Sequence, residues 1–249
     1  MSEVTTFDTK QSMFLTIVIP VFNEQNSIAE VLQRLDMLEW PQFVDRREII
    51  IVNDSSDDGS HDIIERISRD NDRYRVFHHE KNKGKGAAIR TGIQYAKGDV
   101  VLIQDADFEL SPEDIPRMLQ AMDHLNVGFV NGSRFLPGID RPLHSYKRYL
   151  ANRFFTFLTS LLINVKLTDM ACGYKLVKKS LLDKITLTEN RFGFEAELII
   201  KALRVKRNNV AEIPVQYFPR NEGEGKKFRS SDAIRILWVI FKYGLLRIN

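Results

Sequence analysis

The chain has 249 residues, 43% hydrophobic and 28% charged, with 36 Lys and Arg against 33 Asp and Glu for a net charge of +3. That length suits one large α/β domain or two small ones, and the balanced charge excludes a general nucleic-acid binder, which needs a stronger basic excess. Cys172 is the only cysteine, which excludes an internal disulfide and fits a reducing compartment.

Residues 1–13 read as a polar, flexible tail without the charged-then-apolar layout of a signal peptide. Leu15–Pro20 then predicts a strand, Ser27–Leu38 a helix, Glu48–Asn53 a strand and Asp57–Asp70 a helix. Tyr74–His78 is a short strand, and Gly86–Ala96 a helix that opens after a Gly-Lys-Gly turn. Asp99–Gln104 is a strand. Pro112–Met122 is a helix, with Ser111 as its N-cap and Pro112 in its first position. This alternation predicts a mostly parallel, doubly wound α/β sheet flanked by helices.

The second half predicts strands at Val127–Asn131, Tyr174–Val177 and Val210–Tyr217. Helices are expected over Leu143–Val165, Glu195–Val205 and Ser231–Leu246, the last an amphipathic C-terminal helix. Phe218–Arg229 is polar and glycine-rich. Two apolar stretches, Phe154–Val165 and Ile234–Leu246, fall short of the ~20 residues that span a bilayer. They read as core helices or as helices lying on a membrane, where Arg235, Lys242 and Arg247 suit anionic headgroups.

Polar clusters follow three strands: PVFNE (Pro20–Glu24), NDSSDDGS (Asn53–Ser60) and QDADFE (Gln104–Glu109). In an open parallel sheet, ligands bind beyond the carboxyl ends of the strands. Each cluster alone is an ordinary turn or helix cap; three on one edge point to a site. Asp105, Asp107 and Glu109 alternate, so an extended chain aims all three carboxylates one way. Two carboxylates ~5 Å apart repel by roughly 3 kcal/mol at an effective dielectric near 20. A hard divalent cation, Mg²⁺ or Mn²⁺, reverses that repulsion. The plain alternative is a solvated acidic turn beside a helix N-terminus.

PVFNE, NDSSDDGS, NKGKGAAIRTGI (Asn82–Ile93) and DAD together resemble the signatures of family 2 glycosyltransferases of GT-A (Rossmann-like) fold. GSRF (Gly132–Phe135), KRYLANRFF (Lys147–Phe155), DMACGYKL (Asp169–Leu176) and PRNEGEGKK (Pro219–Lys227) are similar, in particular, to the polyprenyl- and dolichyl-phosphate hexose synthases. The resemblance implies one catalytic domain over 14–230, with a nucleotide-binding half to 125 and an acceptor-binding half beyond it. The C-terminal helix, 231–249, follows as a membrane-associated element.

By that resemblance Pro20, Phe22 and Glu24 hold the base and ribose of a nucleotide sugar, of the GDP-mannose or UDP-glucose class. Val52 and Asp54 close around the base, and Lys83 contacts the nucleotide. Asp105, Ala106 and Asp107 meet the donor. Asp105, Asp107 and Glu109 are the metal ligands. The resemblance further implies an inverting transfer to a polyprenyl phosphate at the cytoplasmic face of a membrane, reached through a peripheral surface or an anchoring partner. Arg134, Arg148, Arg220 and Lys226 are then expected at phosphate, with Gly223 and Gly225 in a closing loop. Arg153 and Lys147 read as solvated.

Asp169 is expected to orient the acceptor or a catalytic Arg. In the rival reading, transfer to a sugar or protein hydroxyl, it is the general base such an acceptor needs. A third reading is a nucleotide-binding subunit without catalysis. Glu195 and Glu197 serve a helix dipole or hold sugar hydroxyls, and Cys172 is a buried small residue.

Overall fold

The computed structural model describes residues 12–69, 71–139, 145–206, 209–220 and 230–246. Lys226 and Lys227, the glycines beside them, and all but the last two residues of the predicted tail lie outside the described residues.

Seven strands form one sheet: β1 (Met13–Val21), β2 (Val44–Asn53), β3 (Tyr74–His78), β4 (Val100–Ile103), β5 (Phe129–Ser133), β6 (Lys175–Lys178) and β7 (Val210–Pro214). Their order is β3-β2-β1-β4-β6-β5-β7. All neighbours pair in parallel except β6, which runs antiparallel to both β4 and β5. β1 is the switch point: the chain builds outward through β2 and β3 on one side and continues with β4 on the other, so a crevice opens beyond its carboxyl end.

The strands alternate between two cores, as period-two side chains must. Leu15, Ile17 and Ile19 of β1, with Val100 and Leu102 of β4, face α1 (Ile28–Met37), α2 (Ser60–Ser68) and α4 (Ile115–His124). Val18, Val101 and Ile103 face the other layer. That layer comprises α3 (Lys85–Tyr95), α5 (Tyr146–Ile163), the one-turn α6 (Lys179–Leu182), α7 (Phe194–Val205) and α8 (Ser230–Gly244). Burying each of these Leu, Ile and Val side chains stabilises the fold by about 1.5–3 kcal/mol before chain entropy is counted.

Helix α8 belongs to this core. Ile236, Val239, Ile240 and Tyr243 are buried, and Arg235 ties it to Glu189 at 2.9 Å. The expected helix at Pro112 begins instead as a 3-10 turn, Pro112–Asp114, before α4. Ser111 does not cap it; its hydroxyl is spent on the Glu113 carboxylate, 2.5 Å away.

Candidate active site

The loops after β1 and β2 are stitched to each other. Asn23 donates to Asp57 (2.6 Å) and accepts from the Asp57 amide (3.0 Å). The amides of Glu24 and Gln25 donate to Ser60 and Asp58. Asn23 sits at φ 58°, a left-handed conformation that Asn tolerates better than most residues. The Asn53–Ser60 cluster therefore works chiefly as a clamp that sets the position of Glu24.

Asp54 departs from its expected role. It is buried, and its carboxylate accepts from the amides of Lys83 (2.9 Å) and Gly84 (2.7 Å) and pairs with His79 Nδ1 (2.7 Å). Those partners saturate it as the anchor of the loop into α3 rather than leaving it open to a base. Val52 is fully buried against Ala88 and Ile50, so its side chain is closed to a ligand. Lys83 engages the site through its amide, its side chain remaining exposed. Pro20 lies across from Val52 in the β1–β2 register, and Phe22 is half-buried in the loop that follows.

Strand β4 ends at Ile103, and the chain bends over 106–109. The Glu109 amide donates to Asp107 Oδ1 at 3.0 Å, closing a turn. Extended geometry therefore stops before the carboxylates, and they take different partners. Asp105 Oδ1 meets Lys85 Nζ at 2.6 Å, and Lys85 lies 3.4 Å from Glu195 Oε1. Asp107 Oδ2 meets Arg220 Nη2 at 2.8 Å, and the same nitrogen is 2.7 Å from Glu24 Oε1. Among the described residues the Glu109 carboxylate accepts only the Arg220 amide, at 3.4 Å. Arg220 arrives because 217–218 runs beside 109–110, through a Leu110–Tyr217 bridge and a Phe218 amide bond to the Glu109 carbonyl. Ala106 is buried in the core beneath the turn.

Sequence reasoning gave no role to Lys85 and only an optional one to Glu195. The signal was the pair of glycines around Lys85. A Cβ on Gly84 would come within 2.4 Å of the Asn190 carbonyl, and one on Gly86 within 2.5 Å of the Glu189 carbonyl. The turn can thus press against the segment before α7, which brings Lys85 to Glu195. Burial alone would lower the Lys85 pKa, but Asp105 and Glu195 outweigh it and raise it. Burial pushes Asp107 up, Asp105 adds to that push, and Arg220 offsets only part of it; the result is about 7.

Beside this cluster, Arg134 grips Asp169 with two parallel bonds, Nε–Oδ2 2.7 Å and Nη2–Oδ1 3.0 Å. Asp169 also accepts from the Arg134 amide (3.0 Å) and from Asn152 Nδ2 (2.8 Å). It is fully buried. Burial alone would raise its pKa, but Arg134 and Asn152 hold it below the ordinary carboxylate range. An acid so enclosed positions Arg134 and is not free to take a substrate proton, which corrects the general-base reading. Lys175, also fully buried, donates to the Met170 carbonyl at 3.3 Å and to that of Cys172, pinning the turn that carries Asp169. The same turn places Gly173 against Asp105, whose Oδ2 would lie 2.2 Å from a Cβ there. Arg148 stands apart from both groups, exposed near the start of α5 and without an ion-pair partner among the described residues.

A divalent cation fits part of the expected ligand set. Glu24, Asp105, Asp107, Glu109 and Glu195 outnumber Lys85 and Arg220 here. That excess of hard oxygen charge, with the Asp107 pKa raised by burial and then by Asp105, is what a cation relieves. No group of three acidic, His or Cys residues is gathered for a metal among the described residues, and the Glu109 carboxylate turns toward the Arg220 amide. Two carboxylates completed by substrate phosphates are enough for Mg²⁺.

A doubly wound sheet with a charged crevice at its switch point defines an α/β protein whose ligand edge lies beyond the carboxyl ends of β1 and β4. The profile of Glycosyl transferase family 2 matches residues 16–186, more than half of the chain, and the protein belongs to that family. Its architecture is that of solved GT-A glycosyltransferases. Glucosyl-3-phosphoglycerate synthase of Mycobacterium tuberculosis, crystallised with Mn²⁺, uridine diphosphate and glucosyl-3-phosphoglycerate, superposes with a TM-score of 0.69 at 17% identity, over 93% of this chain and 80% of that one.

Among curated relatives, undecaprenyl-phosphate 4-deoxy-4-formamido-L-arabinose transferase of Edwardsiella ictaluri is 31% identical over 88% of this chain. Dodecaprenyl-phosphate galacturonate synthase of Rhizobium johnstonii is 26% identical over 89%, and glycosyltransferase AglD of Haloferax volcanii 25% over 84%. The chain spans 64% of the length of each of the first two and 34% of the third.

Proposed function

We propose that this protein transfers a hexose from a nucleotide sugar to the phosphate of a polyprenyl lipid, with inversion at the anomeric carbon. The observation that carries the reading is the locked Asp169. A hydroxyl acceptor needs a free base, whereas a lipid phosphate is already anionic and needs cations to hold it beside the donor. Arg134, oriented by Asp169, and the exposed Arg148 are those cations. The names of the Edwardsiella and Rhizobium relatives, both transferases to polyprenyl phosphates, support the same acceptor class.

The donor lies over the crevice at the end of β1 and β4, with the base near Phe22 and Glu24. Asp105 and Asp107 would hold a Mg²⁺ or Mn²⁺ ion, which supplies Lewis-acid stabilisation to the leaving diphosphate. Arg220 and Lys85 add fixed positive charge beside it, and Lys226, outside the described residues, is expected to join them. An acceptor phosphate oxygen forms the new bond to the anomeric carbon from the face opposite the diphosphate. The old carbon–oxygen bond breaks, and both electrons leave with the nucleoside diphosphate. The reaction sits at the cytoplasmic face of a membrane, where such acceptors reside.

A panel of radiolabelled nucleotide sugars, incubated with the protein, Mg²⁺ or Mn²⁺, and either purified polyprenyl phosphates or water-soluble alcohol acceptors, tests this. Label in the lipid phase and release of nucleoside diphosphate are expected. Label appearing only in water-soluble alcohol acceptors would overturn it.

A further inference from the structure

Helix α5 buries polar side chains and exposes apolar ones. Its buried side includes Asn152, Thr156 and Thr159, which serve the Asp169 turn. Asn152 donates to Asp169, Thr156 accepts the Met170 amide at 3.2 Å, and Thr159 contacts Met170 Sδ. Its solvent side carries Tyr146 (69% exposed), Leu150, Phe154, Phe157 (63%) and Leu161 (66%). Steps of four, four, three and four residues align these into one stripe. Helix α8 repeats the pattern outside its buried face, with Ile234 (70%), Trp238 (55%) and Phe241 exposed at steps of four and three, and Leu245 exposed just past its end.

The two helices pack so closely that a Cβ on Gly244 would meet Leu162 at 2.6 Å. Leu161 and Leu245 are the exposed sequence neighbours of that contact, so the stripes flank one helix pair. A surface helix normally shows solvent its polar side; two adjacent apolar stripes mark an interaction surface.

Charge selects the occupant. Helix α5 has no acidic residue, and Lys147 and Arg153 stand exposed on either side of its stripe. Neither has an ion-pair partner among the described residues. A second copy would set this basic rim against its own like charge. Aromatic and aliphatic side chains ringed by Lys and Arg match the boundary of an anionic bilayer. No helix among the described residues is long and apolar enough to cross a membrane.

We infer that the Tyr146–Leu161 stripe of α5 and the Ile234–Phe241 stripe of α8 form one docking surface for an anionic phospholipid bilayer. Tyr149 packs edge-on against Phe135 at 5.3 Å, next to Arg134 and its Asp169 partner. Docking therefore turns the acceptor side of the crevice toward the lipid. That orientation rests on the proposed function; the docking itself does not.

Deleting α8 is a poor test, because it uncovers Ile236, Val239, Ile240 and Tyr243. Surface changes are better: Phe157→Glu with Trp238→Glu, and separately Lys147→Glu with Arg153→Glu. The full chain is floated with vesicles of phosphatidylcholine, with and without phosphatidylglycerol, in the absence of donor and acceptor. Binding to the anionic vesicles is expected to fall by roughly tenfold or more in each double variant, with the thermal melt unchanged. Tryptophan emission of the wild type should shift to the blue on binding.

Wild type that stays with the aqueous phase, or binds both vesicle types equally, overturns the inference. So does a dimer in sedimentation velocity that Phe157→Glu with Trp238→Glu dissolves. Vesicle binding without any lipid-linked sugar would sink the proposed function and leave this surface standing. Transfer to detergent-dispersed acceptor without vesicle binding would do the reverse.

Discussion

Lys85 Nζ lies 2.6 Å from Asp105 Oδ1, so the carboxylate at the head of the acidic motif is already neutralised by a lysine from the first turn of α3. The ammonium competes with any cation that Asp105 is to hold, and it stands ready for the donor's diphosphate. Lys85→Met is expected to bind Mn²⁺ more tightly, by about tenfold if ~1.4 kcal/mol of like-charge repulsion is removed. Turnover should nevertheless fall, because the leaving group loses a positive neighbour. Titration calorimetry with Mn²⁺ and a nucleoside diphosphate release assay check the two halves; weaker Mn²⁺ binding would refute the competition.

Burial, Asp105 and Glu109 push the Asp107 pKa up to about 7, and Arg220 offsets only part of that. Asp107→Asn should lower turnover by about a hundredfold or more. The fold should gain from the lost repulsion. About 1 kcal/mol corresponds to a rise of roughly 2–4 °C in Tm for a domain of this size. Thermal melts beside activity measurements would expose a drop in Tm, which this account forbids.

Asp169→Asn breaks a buried, bidentate pair and is expected to cost about 3–5 kcal/mol of stability. The pH dependence has a definite sign. The folded pKa of Asp169 lies below its unfolded value. Its stabilisation is therefore complete above the unfolded pKa of ~3.9 and disappears as pH falls through the lower folded value. Urea denaturation across acid pH should show wild type and variant converging below about pH 4. Residual activity should keep the wild-type acid limb, since Asp169 is not the base.

At Gly173, a Cβ would sit 2.2 Å from Asp105 Oδ2 and 3.1 Å from Leu110. Gly173→Ala should displace the carboxylate and reduce both Mn²⁺ affinity and kcat while the protein still folds. A fully active Gly173→Ala enzyme would show that Asp105 does not need its present position.

Arg148 is exposed, with no ion-pair partner among the described residues. Arg148→Ala should leave Tm within experimental error and raise KM for the polyprenyl phosphate, with KM for the nucleotide sugar unchanged. Unaltered acceptor kinetics would remove Arg148 from the acceptor site.

The amino-acid sequence determined the order and kind of every major element, because apolar periodicity and turn residues act within a few positions of one another. It also located the three polar loops, since these follow strands that alternate with helices on a single sheet edge. Only the tertiary structure decided which charges meet. Arg220 reaches Glu24 across 196 positions, and Lys85 reaches Asp105 because β1 and β4 are neighbours and two glycines let the loop before α3 close in. Sequence spacing aimed Glu109 the same way as Asp105 and Asp107 by assuming an extended chain; the turn after Ile103 gives it a different neighbour, the Arg220 amide. Helix α5 marks the same boundary. Apolar and polar residues are spread around it, so its periodicity does not say which side is inward. The hydrogen-bonding needs of the Asp169 turn settle that, drawing Asn152 and Thr156 into the interior and leaving Phe154 and Phe157 outside.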